Sequence, residues 1–168
     1  MRGLSLLAIV QIVKPCGKGL CHRKLEEGQA RMVERMPRIL LAKLGHGHKG
    51  ALLNLAKRLG DAGFEIVYTE LEDPEAIVGT AIQESIDHVG ITMLENGDVD
   101  TVGRIKQVFL DRGEKDITIA VGGLIGEEEL ARLEEIGVDA CFPKGTTYEE
   151  LIQWAKENIA SPKGEIQG

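Results

Sequence analysis

Between residues 38 and 159 the hydrophobic positions fall into two kinds of run that alternate along the chain. Ile39-Leu40-Leu41-Ala42-Lys43, Glu65-Ile66-Val67-Tyr68, His88-Val89-Gly90-Ile91-Thr92-Met93, Ile117-Thr118-Ile119-Ala120-Val121 and Ala140-Cys141-Phe142 are short, mostly apolar stretches. Their length and β-branched content predict strands buried on both faces. Between them, apolar residues recur at helical spacing: Leu52, Leu55, Ala56 and Leu59, then Ile77, Val78, Ala81 and Ile82, then Val102, Ile105, Val108 and Phe109. Leu130, Leu133 and Ile136 mark a fourth helix, and Leu151, Ile152, Ala155 and Ile159 a fifth. Pro74 suits the first turn of the second helix, expected to run through Ser85.

Five strands, each followed by a helix, require right-handed crossovers, hence a parallel sheet. The predicted fold is α/β: an open flavodoxin-like (Rossmann-like) five-stranded parallel sheet of order 2-1-3-4-5 with helices on both faces. Ligands of such sheets bind outside the carboxyl ends of the strands, where the order reverses between the first and third. Chemistry is therefore expected in residues 44–50, 92–97, 122–126 and 143–147.

Composition narrows the partners. The 168 residues, 43% hydrophobic and 28% charged, describe one domain that buries enough surface to fold without disulfide or metal. The net charge of −7 is uneven. Residues 1–38 hold 8 Lys/Arg and 3 Asp/Glu, and the remainder 12 and 24. An acidic body without a basic patch excludes nucleic acid as a partner. Leu4 to Val13 resembles a signal h-region but is too short to span a bilayer and has no small-residue cleavage site after it, so no membrane association is expected. Cys16, Cys21 and His22 match no common zinc spacing, and the odd cysteine count of 3 points to a reducing, cytoplasmic setting. Residues 1–36 read as an irregular extension, with Met32 and Met36 as alternative starting points. The domain is expected over 37–160, followed by a tail at 161–168.

The loops after the strands have distinctive chemistry. After the first comes Leu44-Gly45-His46-Gly47-His48-Lys49-Gly50, two imidazoles among glycines at a helix start. Histidine is the commonest side-chain ligand for borderline transition metals, and glycines admit a bulky ligand to the backbone. A solvated glycine-rich turn with idle histidines is the plain alternative. After the third strand stands Thr92-Met93-Leu94-Glu95-Asn96-Gly97, and after the fourth Gly122-Gly123.

These loops resemble the signature of the cobalamin-binding domain of methylmalonyl-CoA mutase and its relatives: Asp-x-His-x-x-Gly, a spacer, Ser-x-Leu, a second spacer, Gly-Gly. Here 41 residues separate Gly50 from Thr92-Met93-Leu94, and 27 more lead to Gly122-Gly123. Residues 61–69 and 125–130 are also similar to that family. The resemblance implies that cobalamin binds with its dimethylbenzimidazole tail swung off cobalt and inserted beside the first strand, and that His48 takes the vacated axial position. It implies cofactor contacts at Gly47, His48, Gly50, Thr92, Leu94, Gly122, Gly123, Gly145 and Thr146, with Thr92 standing where the family's Ser bonds the tail. The bound form would be adenosylcobalamin. No residue of this chain is expected to be catalytic. The implied enzyme is an isomerase of two chains, an intramolecular acyl-CoA mutase whose large catalytic barrel subunit holds the acyl-CoA.

Two departures qualify the likeness. His46 replaces the family's Asp, an acceptor that orients the ligand histidine, and the loop is one residue short on either side of His48. The metal ligand is thus His48 or, alternatively, His46. Among proteins of similar fold, a phosphoryl receiver would need acidic residues where Leu44-Gly45 and Thr92-Met93 stand, and a flavodoxin a hydroxyl-rich loop at 44–50. A corrinoid shuttle protein of a methyltransferase and a degenerate, non-catalytic mutase partner remain as alternatives.

Overall fold

The computed structural model describes residues 11–13 and 35–159. In chain order the elements are β1 (Gln11–Val13), β2 (Arg38–Leu44), α1 (Gly50–Asp61), β3 (Glu65–Thr69), α2 (Pro74–Gln83), β4 (His88–Met93), α3 (Val99–Asp111), β5 (Thr118–Gly123), α4 (Glu127–Ile136), β6 (Ala140–Pro143) and α5 (Tyr148–Asn158). The sheet runs β1-β3-β2-β4-β5-β6. Strands β2 to β6 pair in parallel, forming the expected order 2-1-3-4-5. The addition is β1, which pairs antiparallel with β3, Gln11 opposite Tyr68 and Val13 opposite Ile66. Three residues on a sheet edge are too few to show a period, so the sequence pattern assigns no element there. Cys16, Cys21 and His22 lie outside the described residues.

Alternation along each strand divides the core. Leu40, Ala42, Val89, Ile91 and Val121 face Ile77, Val102, Phe109 and Leu133 of α2, α3 and α4. Ile39, Leu41 and Ile66 face Leu52, Leu59, Ala155 and Ile159, on and beside α1 and α5. Three helices thus cover one face and two the other. On the two-helix side, β4 and β5 place Gly90 beside Ala120 and Thr92 beside Gly122 in register, small residues that leave the helices standing off the sheet.

Two local expectations change. Helix α2 ends at Gln83, and Ser85 adopts φ 53, which returns Ile86 to the core with its amide bonded to the Ala81 carbonyl at 2.9 Å. Ile86 occupies the inward place predicted for Ile82, which is 37% exposed. Cys141 lies on the edge strand β6 and is half-buried, its thiol free. Burial, aided by Glu134, raises its pKa above the ordinary value, which makes it a poor nucleophile.

Candidate functional site

The loops at the carboxyl ends of β2 and β4 are joined by backbone. The Leu94 amide donates to the Leu44 carbonyl and the His46 amide to the Glu95 carbonyl, both at 2.8 Å. Gly45 makes the approach possible: it takes φ 94, and a Cβ there would lie 2.5 Å from the Glu95 carbonyl oxygen. The Leu94 side chain packs under Gly47. This junction presents His46 and His48 to solvent at the head of α1, and among the described residues neither imidazole makes a hydrogen bond.

Beside that loop a crevice runs between the sheet and the α1–α5 layer. Its inner part lies over Gly90, Thr92, Ala120 and Gly122, with Leu55 and Leu59 of α1 and Leu151 and Trp154 of α5 as walls. The outer part shares Leu55, Thr92, Gly122, Phe142 and Leu151 with the inner part. It opens at Gly123, Lys144, Gly145 and Thr146. Thr92 therefore stands where the two parts of the slot adjoin. Across its mouth the Tyr148 hydroxyl donates to the Ala51 carbonyl at 3.3 Å, and the Arg58 guanidinium lies 4.8 Å over the Tyr148 ring, tying α5 to α1.

Charges on the rim pair with one another. Lys49 binds Glu70, which also accepts from the Tyr68 hydroxyl at 3.3 Å, and Lys43 binds Glu72 at 3.4 Å. Lys49 holds the Glu70 carboxyl below its usual range. Burial, then the Glu70 charge, pushes the Tyr68 phenol up to about 12. With Glu70 shifted down and Tyr68 shifted up, neither supplies an acid or base near pH 7.

Of the residues expected from the sequence, Thr92, Gly122, Gly123, Gly145 and Thr146 line the slot. Gly47, His48, Gly50 and Leu94 do not. Gly50 opens α1 where an added Cβ would meet nothing beyond its own helix, and Leu94 supports the histidine loop from below. Sequence reasoning missed Gly90, Ala120, Trp154 and Tyr148. The signal for the first two was present: counting alternate positions puts Gly90, Thr92, Ala120 and Gly122 on one face of adjacent strands.

A corrinoid suits this arrangement on two counts. A long apolar slot floored by glycine and alanine accepts a flat base, and longer side chains at Gly90 or Gly122 would occupy it. Among the described residues no three His, Cys, Asp or Glu side chains cluster as a metal site, so a metal held here would have to bring most of its own ligands.

The fold and slot define an α/β ligand-binding domain with its site at the strand carboxyl ends. Residues 37–152 match the B12 binding domain, and the chain belongs to that family. It is a cobalamin-binding domain homologous to mutase subunits. It is 31% identical over 126 residues to the 2-hydroxyisobutanoyl-CoA mutase small subunit of Aquincola tertiaricarbonis, spanning 74% of this chain and 93% of that one. With the methylmalonyl-CoA mutase of Rhizobium meliloti (strain 1021) it shares 32% over 150 residues, 84% of this chain but 21% of the mutase. The chain thus spans nearly all of the small subunit and about a fifth of the mutase. A novel cobalamin-binding protein from Desulfitobacterium hafniense DCB-2 superposes with a TM-score of 0.59 at 18% identity, over 73% of this chain and 59% of that one. A response regulator from Thermotoga maritima reaches 0.56 at 15%, over 74% and 98%. Both likenesses concern the fold alone. Among the described residues no helix is long and apolar enough to cross a membrane.

Proposed function

We propose that this chain is the cobalamin-binding subunit of an adenosylcobalamin-dependent acyl-CoA mutase, working in the cytoplasm with a large barrel subunit that binds the acyl-CoA. The observation that carries this reading is the slot at the sheet's switch point, lined by Thr92, Gly122, Gly123, Gly145 and Thr146. The slot takes the nucleotide tail: Leu55, Leu151 and Trp154 exclude water from the base, and the Thr92 hydroxyl bonds it where the two parts adjoin. Gly47 and Gly50 let the corrin approach the loop. His48 would hold the cobalt, with His46 as the alternative. Leu94 acts indirectly, by holding that loop at its height.

When bound, the cofactor would supply radical chemistry that no side chain of this chain can provide. This chain contributes position and dryness on one side only. Among the described residues its open rim pairs no nucleophile with a base, and a radical needs enclosure, so the other wall belongs to the partner.

Reconstitution tests the reading directly. The chain mixed with hydroxocobalamin and desalted should retain about one equivalent of corrinoid by visible absorption. Mutase activity should appear only when a large barrel subunit and acyl-CoA are added to the adenosylcobalamin-loaded chain. A folded chain that retains no corrinoid defeats the proposal. Retention without activity beside any mutase large chain replaces it with a shuttle or a degenerate partner.

A further inference from the structure

The inner end of the slot is not hydrocarbon. His88, at the start of β4, is 3% exposed and lines the crevice. Its Nδ1 lies 2.6 Å from Oγ1 of Thr118, its register partner on β5. Its ring centroid stands 5.5 Å from that of Trp154, the planes inclined at 55°. The other ring nitrogen, Nε2, has no hydrogen bond among the described residues. No buried side-chain nitrogen or oxygen of those residues is orphaned, so Nε2 is not fully enclosed, and the space that His88 lines is the slot. Burial lowers the imidazole pKa to about 3. The ring therefore meets any occupant uncharged, donating or accepting at Nε2 according to its tautomer.

A slot shaped for an alkyl edge gains nothing from such a nitrogen, because a buried polar atom facing hydrocarbon loses its hydrogen bond to water without replacement. A nucleotide tail joined to the corrin through phosphate and ribose must enter base first. The five-membered ring, which carries the ribose, stays near Thr92, and the outer edge of the six-membered ring goes deepest.

We propose that His88 selects the lower base of the corrinoid, favouring one whose outer edge carries hydrogen-bonding atoms, such as a purine, over dimethylbenzimidazole, whose outer edge is two methyl groups. The inference rests on the reading of the slot as the tail pocket. Adenine presents a ring nitrogen and an amino group there, so one acceptor and one donor are available to either tautomer of His88. Thr118 holds the ring in place through Nδ1, and Trp154 packs against it, so the nitrogen is aimed before the base arrives.

The test uses the full chain, with the fluorescence of its single tryptophan, Trp154, as the readout. Three corrinoids are titrated: cobinamide, which has no base, cobalamin, and the adenine-based cobamide. The adenine form should bind about ten-fold more tightly than cobalamin, the worth of one net hydrogen bond. In His88→Phe, which keeps a ring against Trp154, that ratio should fall to about one while the cobinamide Kd stays unchanged. Equal binding of the two complete corrinoids by the natural chain, a preference for cobalamin, or a preference that survives His88→Phe overturns the assignment. The natural chain decides the first two outcomes even if the variant does not fold. Cobalamin bound no more tightly than cobinamide would instead remove the tail pocket itself.

Discussion

Gly123 lies so close to Met93 that a Cβ on it would stand 2.3 Å from the Met93 carbonyl oxygen. That same oxygen accepts the Leu124 amide at 2.9 Å. The end of β5 is thereby laid against the end of β4, and the floor of the slot's mouth is backbone.

Gly123→Ala should therefore cost more stability than strain alone explains. At Gly63, φ is 103 and nothing lies near a would-be Cβ, so Gly63→Ala reports the backbone term, about 1 kcal/mol. Gly123→Ala combines φ 109 with the clash and should lose roughly 2–4 kcal/mol. Urea denaturation of both variants checks it, and equal losses would show that the β4–β5 contact relaxes freely.

Filling the slot should separate tail binding from corrin binding. Gly122→Leu places a side chain where the inner and outer parts meet, beside Phe142, whose carbonyl oxygen would be 3.2 Å from the new Cβ. Affinity for cobalamin should fall by at least about ten-fold, while cobinamide binds as before. Parallel losses for both would mean that the variant disturbs the whole domain.

Ligation of cobalt is decided by spectroscopy of the reduced form. His48→Ala should abolish the nitrogen splitting in the electron paramagnetic resonance spectrum of Co(II), whereas His46→Ala should retain it. The reverse pattern assigns the metal to His46, and splitting that survives both changes assigns it to neither.

Acid stability should depend on His88. Burial depresses its pKa from 6.5 to about 3, so between those values the unfolded chain takes up a proton that the folded chain refuses. The group's contribution is complete above about pH 6.5 and is lost as pH falls towards 3, at up to roughly 1.4 kcal/mol per unit. In His88→Phe the fall of unfolding free energy between pH 6 and 4 should be shallower. An unchanged slope would mean that the imidazole is charged inside the fold.

Much of the fold was legible because apolar periodicity is a local property. The runs at Ile39–Lys43 and His88–Met93 and the stripes at Leu52–Leu59 and Val102–Phe109 each bury themselves in the only way their spacing allows. Five strand–helix units in succession then leave few topologies. The chain by itself also determined the loop residues whose spacing places Thr92, Gly122 and Gly123 at the strand ends. Tertiary structure alone decided where the slot runs, because its walls come from Leu55, Leu151 and Trp154 on helices far apart in the chain. It also decided that Gly47, His48, Gly50 and Leu94 lie outside that slot. His88 shows the difference most plainly: in the sequence it is the first residue of an apolar strand. Only the register that sets it beside Thr118, and the helix that brings Trp154 over its ring, turn it into a neutral polar group at the end of a cavity.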